Sequence, residues 1–260
     1  MLKEPRTSWP VTGSGKPWLR VSGFQSHEAA PGLKLQPRRR PSPSSAGAFL
    51  LGSASYIRPV PRIVFIPIAS PKLRPSPPTG PDWLHEVKFG GIQLHKAGDE
   101  VRLSSRNGKD FTDRFPSITA AVRGLGAKSA AIDGELVSCD SEGKPDFYAL
   151  MRRRTSGLCV RCFDLLTLNE RDLRSLPLEQ RKAKLGALLA KTGDTTLRLS
   201  QTFDDGEKLL LAAARQGLEG IVSKRRAAPY VAGATSGCIK VKTREWRQAN
   251  RERYKLFERA

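Results

Sequence analysis

Three short stretches of the chain put charged side chains at alternate positions, the spacing that turns two residues to one face of a β-strand. Lys240 and Lys242 form one such pair, with Ile239 and Val241 turned the other way. Two ammonium groups on one face repel unless an anion lies against them, so the pair suits a phosphate. A solvated edge strand accounts for it equally well when it is read alone. Asp133 and Glu135 share a face in the same manner between Ile132 and Leu136. Paired carboxylates beside a triphosphate hold magnesium, whereas an exposed acidic strand face is the ordinary alternative. Glu86 and Lys88 make a third pair, for which a neighbouring ion pair is the simplest reading. Cys159-Val-Arg-Cys162 has the spacing of metal ligands, but it lies in the strand-like run 158–166. Side chains three apart in a strand point to opposite faces, and there is no second pair to complete a zinc site.

These groups need a framework, and the pattern beyond Pro81 supplies one. Residues 83–88, 100–105, 130–138, 158–166, 220–224 and 238–242 read as strands, the second ending at the turn signal Asn107-Gly108. Residues 177–191 read as a helix with Leu178, Leu185, Leu188 and Leu189 on one face. Asp204 with Glu207 resembles a capping box opening a helix that Gly217 closes, and residues 244–259 read as a final basic helix docked by Trp246 and Phe257. Short strands interleaved with few helices predict an α+β domain without internal repeats. Before Ile63 there are ten Lys or Arg against two acids, and fifteen of the nineteen prolines fall within residues 1–81. Residues 1–62 therefore read as a basic, disordered tail, with folding beginning near Val64-Phe65-Ile66-Pro67. The formal charge of +20 favours a polyphosphate partner, nucleic acid first. Four cysteines fit a reducing cytoplasm rather than a disulfide framework, and no stretch is long enough to span a membrane.

Each pair is weak alone, but their order is informative. Glu86-Val-Lys88, Ser105-Arg-Asn-Gly108, Asp133-Gly-Glu135, Phe163-Asp-Leu-Leu166, Glu219-Gly-Ile-Val-Ser-Lys224 and Ile239-Lys-Val-Lys242 resemble the motif series of ATP-dependent DNA ligases. The likeness is strongest to the ligase component of bacterial end-joining systems, and runs from about Phe65 to the C-terminus. It implies a nucleotidyltransferase fold of the DNA ligase and mRNA capping enzyme type, with largely antiparallel sheets flanked by helices. On that likeness residues 63–243 are the adenylation domain and 244–260 a basic C-terminal helix. Too few residues follow Lys242 for a C-terminal OB domain.

The resemblance also implies roles. Lys88 would attack the α-phosphate of ATP, its amine driven towards the neutral form by Lys240, Lys242 and magnesium or manganese. Glu86 would meet the adenine edge and Phe163 would stack on the base. Arg106 and Glu135 would hold ribose or phosphate; Glu135 and Glu219 would bind metal; Lys224, Lys240 and Lys242 would neutralise phosphate charge. The implied partner is nicked or broken double-stranded DNA, with end-joining accessory proteins, acted on by a monomeric, nucleoid-associated bacterial protein.

The series breaks at the nucleophile. The family has Lys-x-Asp-Gly-x-Arg, and this chain has Lys88-Phe89-Gly90-Gly91-Ile92-Gln93. Read without gaps, Gly90 and Gln93 replace the Asp and the Arg. Alternatively two residues are deleted, which preserves strand register because the number is even. Cys238 stands where the family has Trp, and Val231 where a basic residue is common. Three readings follow: an active ligase, a degenerate adenylation fold that binds DNA or nucleotide without turnover, and a related RNA ligase or capping guanylyltransferase. The residues from Glu219 to Lys224 favour DNA ligases over the last.

Overall fold

The computed structural model of the protein describes residues 63–88, 90–138 and 157–251. The tail at 1–62 and the last part of the predicted C-terminal helix lie outside them. Among the described residues ten strands and four helices follow one another: β1 (Ala69–Leu73), β2 (Trp83–Val87), β3 (Gly91–Ala97), β4 (Glu100–Ser105), α1 (Pro116–Arg123), β5 (Ser129–Ser138), β6 (Leu158–Leu168), β7 (Arg171–Asp172), α2 (Leu178–Leu189), β8 (Leu197–Leu199), α3 (Gly206–Arg215), β9 (Gly220–Arg225), β10 (Gly233–Lys242) and α4 (Arg244–Ala249). They form two sheets. One has the order β1-β10-β9-β2; the other runs β4-β3-β5-β6-β7, with β8 beside β6. All pairings are antiparallel except β1 with β10 and β6 with β8. The fold is α+β, as the motif series implies.

The strands form where apolar side chains alternate or cluster, and they bury two cores, the second of them shared by the two sheets through Val137 and Cys159. Leu94, Leu103, Ile132, Val160 and Leu165 of the larger sheet pack against Ile118 of α1 and Leu185 of α2. Val87, Ile221 and Val241 of the smaller sheet pack against Phe203, and against Leu209 and Ala213 of α3. Cys162 belongs to the first core and Cys159 to the second, so the two thiols face opposite ways as strand geometry requires. Among the described residues no helix is long and apolar enough to cross a membrane.

Several elements depart from the sequence reading. Strand β3 is absent from it: the strand is paired on both edges and buried from Ile92 to Ala97, so polar Gln93, His95 and Lys96 interrupt the apolar signal. Strand β1 buries none of its five residues fully and exists because β10, beginning at Gly233 rather than Cys238, offers it a parallel edge. The cap of α3 is Asp205, whose carboxylate accepts the Lys208 amide at 3.0 Å; Asp204 instead pairs with Arg226. Helix α1 opens with Pro at a position where its missing N–H costs nothing.

Helix α2 carries the expected leucine stripe, yet it also buries Arg181 and Lys182. Arg181 grips Asp164 with two hydrogen bonds, Nε to Oδ1 at 2.7 Å and Nη2 to Oδ2 at 2.9 Å, and its Nη1 donates to the carbonyls of Leu176 and Ala228. Both partners are almost fully enclosed, so removing one strands the other charge. Arg181→Leu is expected to lower unfolding stability by about 3–5 kcal/mol in urea titrations. A loss below about 1 kcal/mol would show that water reaches Asp164 in the variant.

Candidate active site

Strands β1, β2, β5, β6, β9 and β10 all contribute to one pocket between the sheets. Glu86, Lys88, Arg106, Glu135, Phe163 and Lys224 line it, all of them residues singled out from the sequence. The charged groups separate into two clusters. At one end Lys88, just past β2, donates from Nζ to Glu219 Oε2 at 2.8 Å. Lys242 reaches the other oxygen of Glu219 at 3.3 Å and lies 3.9 Å from the centre of the Trp246 ring. Lys240 belongs to this cluster electrostatically: burial, then the cations Arg106, Lys88 and Lys242, push its ammonium down, with Glu219 opposing. Arg106 is anchored by donating to Ser70 Oγ at 2.7 Å.

The register of β9 makes this end possible. Gly220 follows Glu219 and pairs with Lys242 of β10, and its carbonyl accepts the Lys88 amide at 2.9 Å, so one glycine joins all three charged residues. A Cβ there would sit 2.0 Å from the Val241 carbonyl oxygen, which is backbone and cannot swing aside. Gly220→Ala is expected to cost about 1–3 kcal/mol of stability by prising β9 from β10. Nucleotide binding, followed by calorimetry, should weaken together with stability; unchanged melting would refute the close approach.

At the other end Glu86 is buried, with Lys182 Nζ 2.6 Å from one oxygen and Lys224 Nζ 2.6 Å from the other. Burial alone would raise the carboxyl, but the two ammonium groups outweigh it and hold Glu86 below the usual carboxylate range. Lys224 also lies 3.9 Å from the centre of the Phe163 ring, so it sits with Glu86 and Phe163 rather than beside Lys88. Sequence reasoning misses Lys182. The signal that could have found it is its place four positions after Leu178 and three before Leu185, on the apolar stripe of α2.

Between the two ends Asp133 is buried, accepting from Gln93 Nε2 at 2.7 Å and from the Tyr230 hydroxyl at 2.8 Å. Burial, reinforced by Asp164, pushes its carboxyl up to about 6, against the pull of those hydrogen bonds. Gln93 is enclosed as well. Its amide also bonds the backbone of Ile66 in both directions at 3.0 Å, and its oxygen lies 2.8 Å from His95 Nε2. Gln93 is therefore a bridging residue inside the sheet and does not line the pocket, so it offers no substitute for a missing cation there. Cys238 and half-exposed Val231 do line it.

Two sheets closing over a pocket with a lysine at one end and a buried carboxylate and aromatic ring at the other define a nucleotidyltransferase fold. The chain belongs to the ATP-dependent DNA ligase domain family, whose model matches residues 77–242. It is 38% identical over 198 residues to the multifunctional non-homologous end joining protein LigD of Pseudomonas aeruginosa, covering 74% of this chain and 23% of that protein. It is 38% identical over 172 residues to a probable DNA ligase of Beutenbergia cavernae, covering 61% of this chain and 33% of the relative. The chain thus spans about a quarter to a third of these relatives. Among solved structures, the ligase domain of M. tuberculosis LigD superposes with a TM-score of 0.56 at 27% identity, covering 67% of this chain and 59% of that one. A mycobacterial DNA ligase D complexed with ATP and MES gives 0.52 at 28% identity, covering 66% and 60%.

Proposed function

We propose that the chain is the catalytic core of an ATP-dependent DNA ligase that seals nicked or broken double-stranded DNA through a lysyl-adenylate on Lys88. The observation that carries this reading is the Lys88–Glu219–Lys242 cluster, which meets the pocket at Lys88, with Glu86 and Phe163 lining the other end. A nucleotide laid between them puts its base on Phe163 and its phosphates among Lys88, Arg106, Lys240 and Lys242. Lys88 Nζ, once it has given up a proton to solvent, attacks the α-phosphorus; the N–P bond forms, the bond to the β-phosphate oxygen breaks, and pyrophosphate leaves. AMP passes to a 5′-phosphate at the break, and the neighbouring 3′-hydroxyl displaces it. The protein's part is positioning and charge neutralisation.

Among the described residues no three His, Cys, Asp or Glu side chains gather as a self-sufficient metal cage. Glu135 and Glu219 are the carboxylates that would hold magnesium or manganese together with substrate oxygens, and the ion would neutralise phosphate charge. Glu219 would serve both roles, since the carboxylate that would take the metal is the one that holds the Lys88 ammonium at 2.8 Å.

We assign residues 63–243 to the adenylation domain, and nucleic acid as partner on the +20 charge. End-joining accessory proteins, a monomeric state and a place at the bacterial nucleoid complete the reading. A second reading, binding without turnover, is supported by the lost Asp and Arg and by Gln93 being held inside the sheet. Incubation with ATP radiolabelled at the α-phosphate, then a denaturing gel, separates the two. Protein-linked label supports the ligase; none from folded protein supports the binding fold.

A further inference from the structure

Glu86 is held from two sides by lysines that are not equivalent. Lys224 lines the pocket, whereas Lys182 does not and reaches Glu86 from behind, out of α2. Lys182 is buried, and its Nζ bridges Glu86 Oε1 at 2.6 Å and the Phe163 carbonyl at 3.1 Å. One contact fixes the carboxylate, and the other fixes the backbone of the residue whose ring faces the cavity. Oε1 is thereby tied into the protein, leaving Oε2, now against Lys224, as the oxygen on the pocket side.

We propose that Lys182 is a positioning residue for base selection: by holding Glu86 Oε1 and the Phe163 carbonyl it presents Oε2 to the cavity as an acceptor. This rests on the reading of Glu86 and Phe163 as the base-facing residues. A carboxylate oxygen has no hydrogen to give, so it takes the exocyclic amine of adenine and rejects the carbonyl that guanine carries at the same place. The Lys224 ammonium is a placeholder donor, which the amine of the base replaces. Without Lys182 the carboxylate is free to turn both oxygens onto Lys224, and the pocket loses its acceptor.

Calorimetric titration with the α,β-methylene analogues of ATP and GTP, which cannot transfer their nucleotidyl group, tests this apart from catalysis. The native chain is expected to prefer the adenine analogue about 10- to 100-fold. Lys182→Met should shrink that preference about tenfold or more, with the guanine analogue bound as before, and Lys182→Arg should restore it. A purely structural role weakens both analogues equally, and an unchanged ratio overturns the proposal. Glu86→Gln gives an isosteric second measure should Lys182→Met fail to fold. Both lysines can hold only the amide oxygen; Lys182, tied also to the Phe163 carbonyl, keeps it while Lys224 yields to the base, so the NH2 group faces the cavity and preference swings towards guanine; retained adenine preference overturns the proposal. Native protein that binds the adenine analogue and takes α-label, yet shows either overturning result, refutes this inference alone. Native protein that binds neither analogue and takes no label refutes the proposed function with it.

Discussion

Lys88→Ala is expected to abolish protein-linked AMP, a fall of at least roughly a thousandfold, because it removes the amine proposed to form the N–P bond. The variant should still fold. Lys88 is partly exposed, and Glu219 keeps Lys242 at 3.3 Å, so the loss of one ion pair should change stability by about 1 kcal/mol or less. DNA affinity should fall only slightly, since one cation is removed from a chain of formal charge +20. Lys88→Arg separates charge from nucleophilicity: the guanidinium keeps the positive charge but cannot become neutral, so labelling should vanish there too. Label retained by either variant on a denaturing gel would refute Lys88 as the nucleophile.

The site was legible where chemistry repeats at strand spacing. Glu86 with Lys88 and Lys240 with Lys242 could be read as shared faces because their neighbours Val87, Ile239 and Val241 are apolar and pack into a core. The order of these pairs then did what no single pair could. What stayed hidden was the layer that holds the chemical groups in place. Lys182 looks like a solvated helix cation in sequence, yet lies on the buried stripe of α2 against Glu86. Arg181 and Asp164 are likewise ordinary charges until the fold encloses them. Pairings between distant segments explain the rest: β1 depends on β10, and β3 is covered on both edges, so neither needs a strong local pattern.

Gln93 bears on which of the two alignments of the altered nucleophile loop is right. Read without gaps it takes the place of the family's Arg, but its side chain is bonded to Asp133 and to the backbone of Ile66, away from the pocket lining. That placement favours a two-residue deletion: β3 keeps its register from Gly91, and what is lost is loop between Lys88 and the strand.

Replacing Gly90-Gly91 with a four-residue Asp-Gly-Tyr-Arg segment, while leaving Ile92 and Gln93 in place, is therefore expected to raise the rate of adenylation. A Cβ at either glycine meets nothing within 4 Å, so the loop has room for side chains. An added guanidinium near the phosphates should supply about 2–4 kcal/mol of transition-state stabilisation, or roughly 30- to 1,000-fold in rate. The even insertion keeps Gln93 facing Asp133, and melting temperature should hold. Single-turnover transfer of AMP from ATP measures the effect. A gain confined to the rate, at similar nucleotide affinity, identifies the loop as the missing part of the catalytic machinery. Folded protein with no gain shows that Arg106, Lys240 and Lys242 already meet the charge on the phosphates.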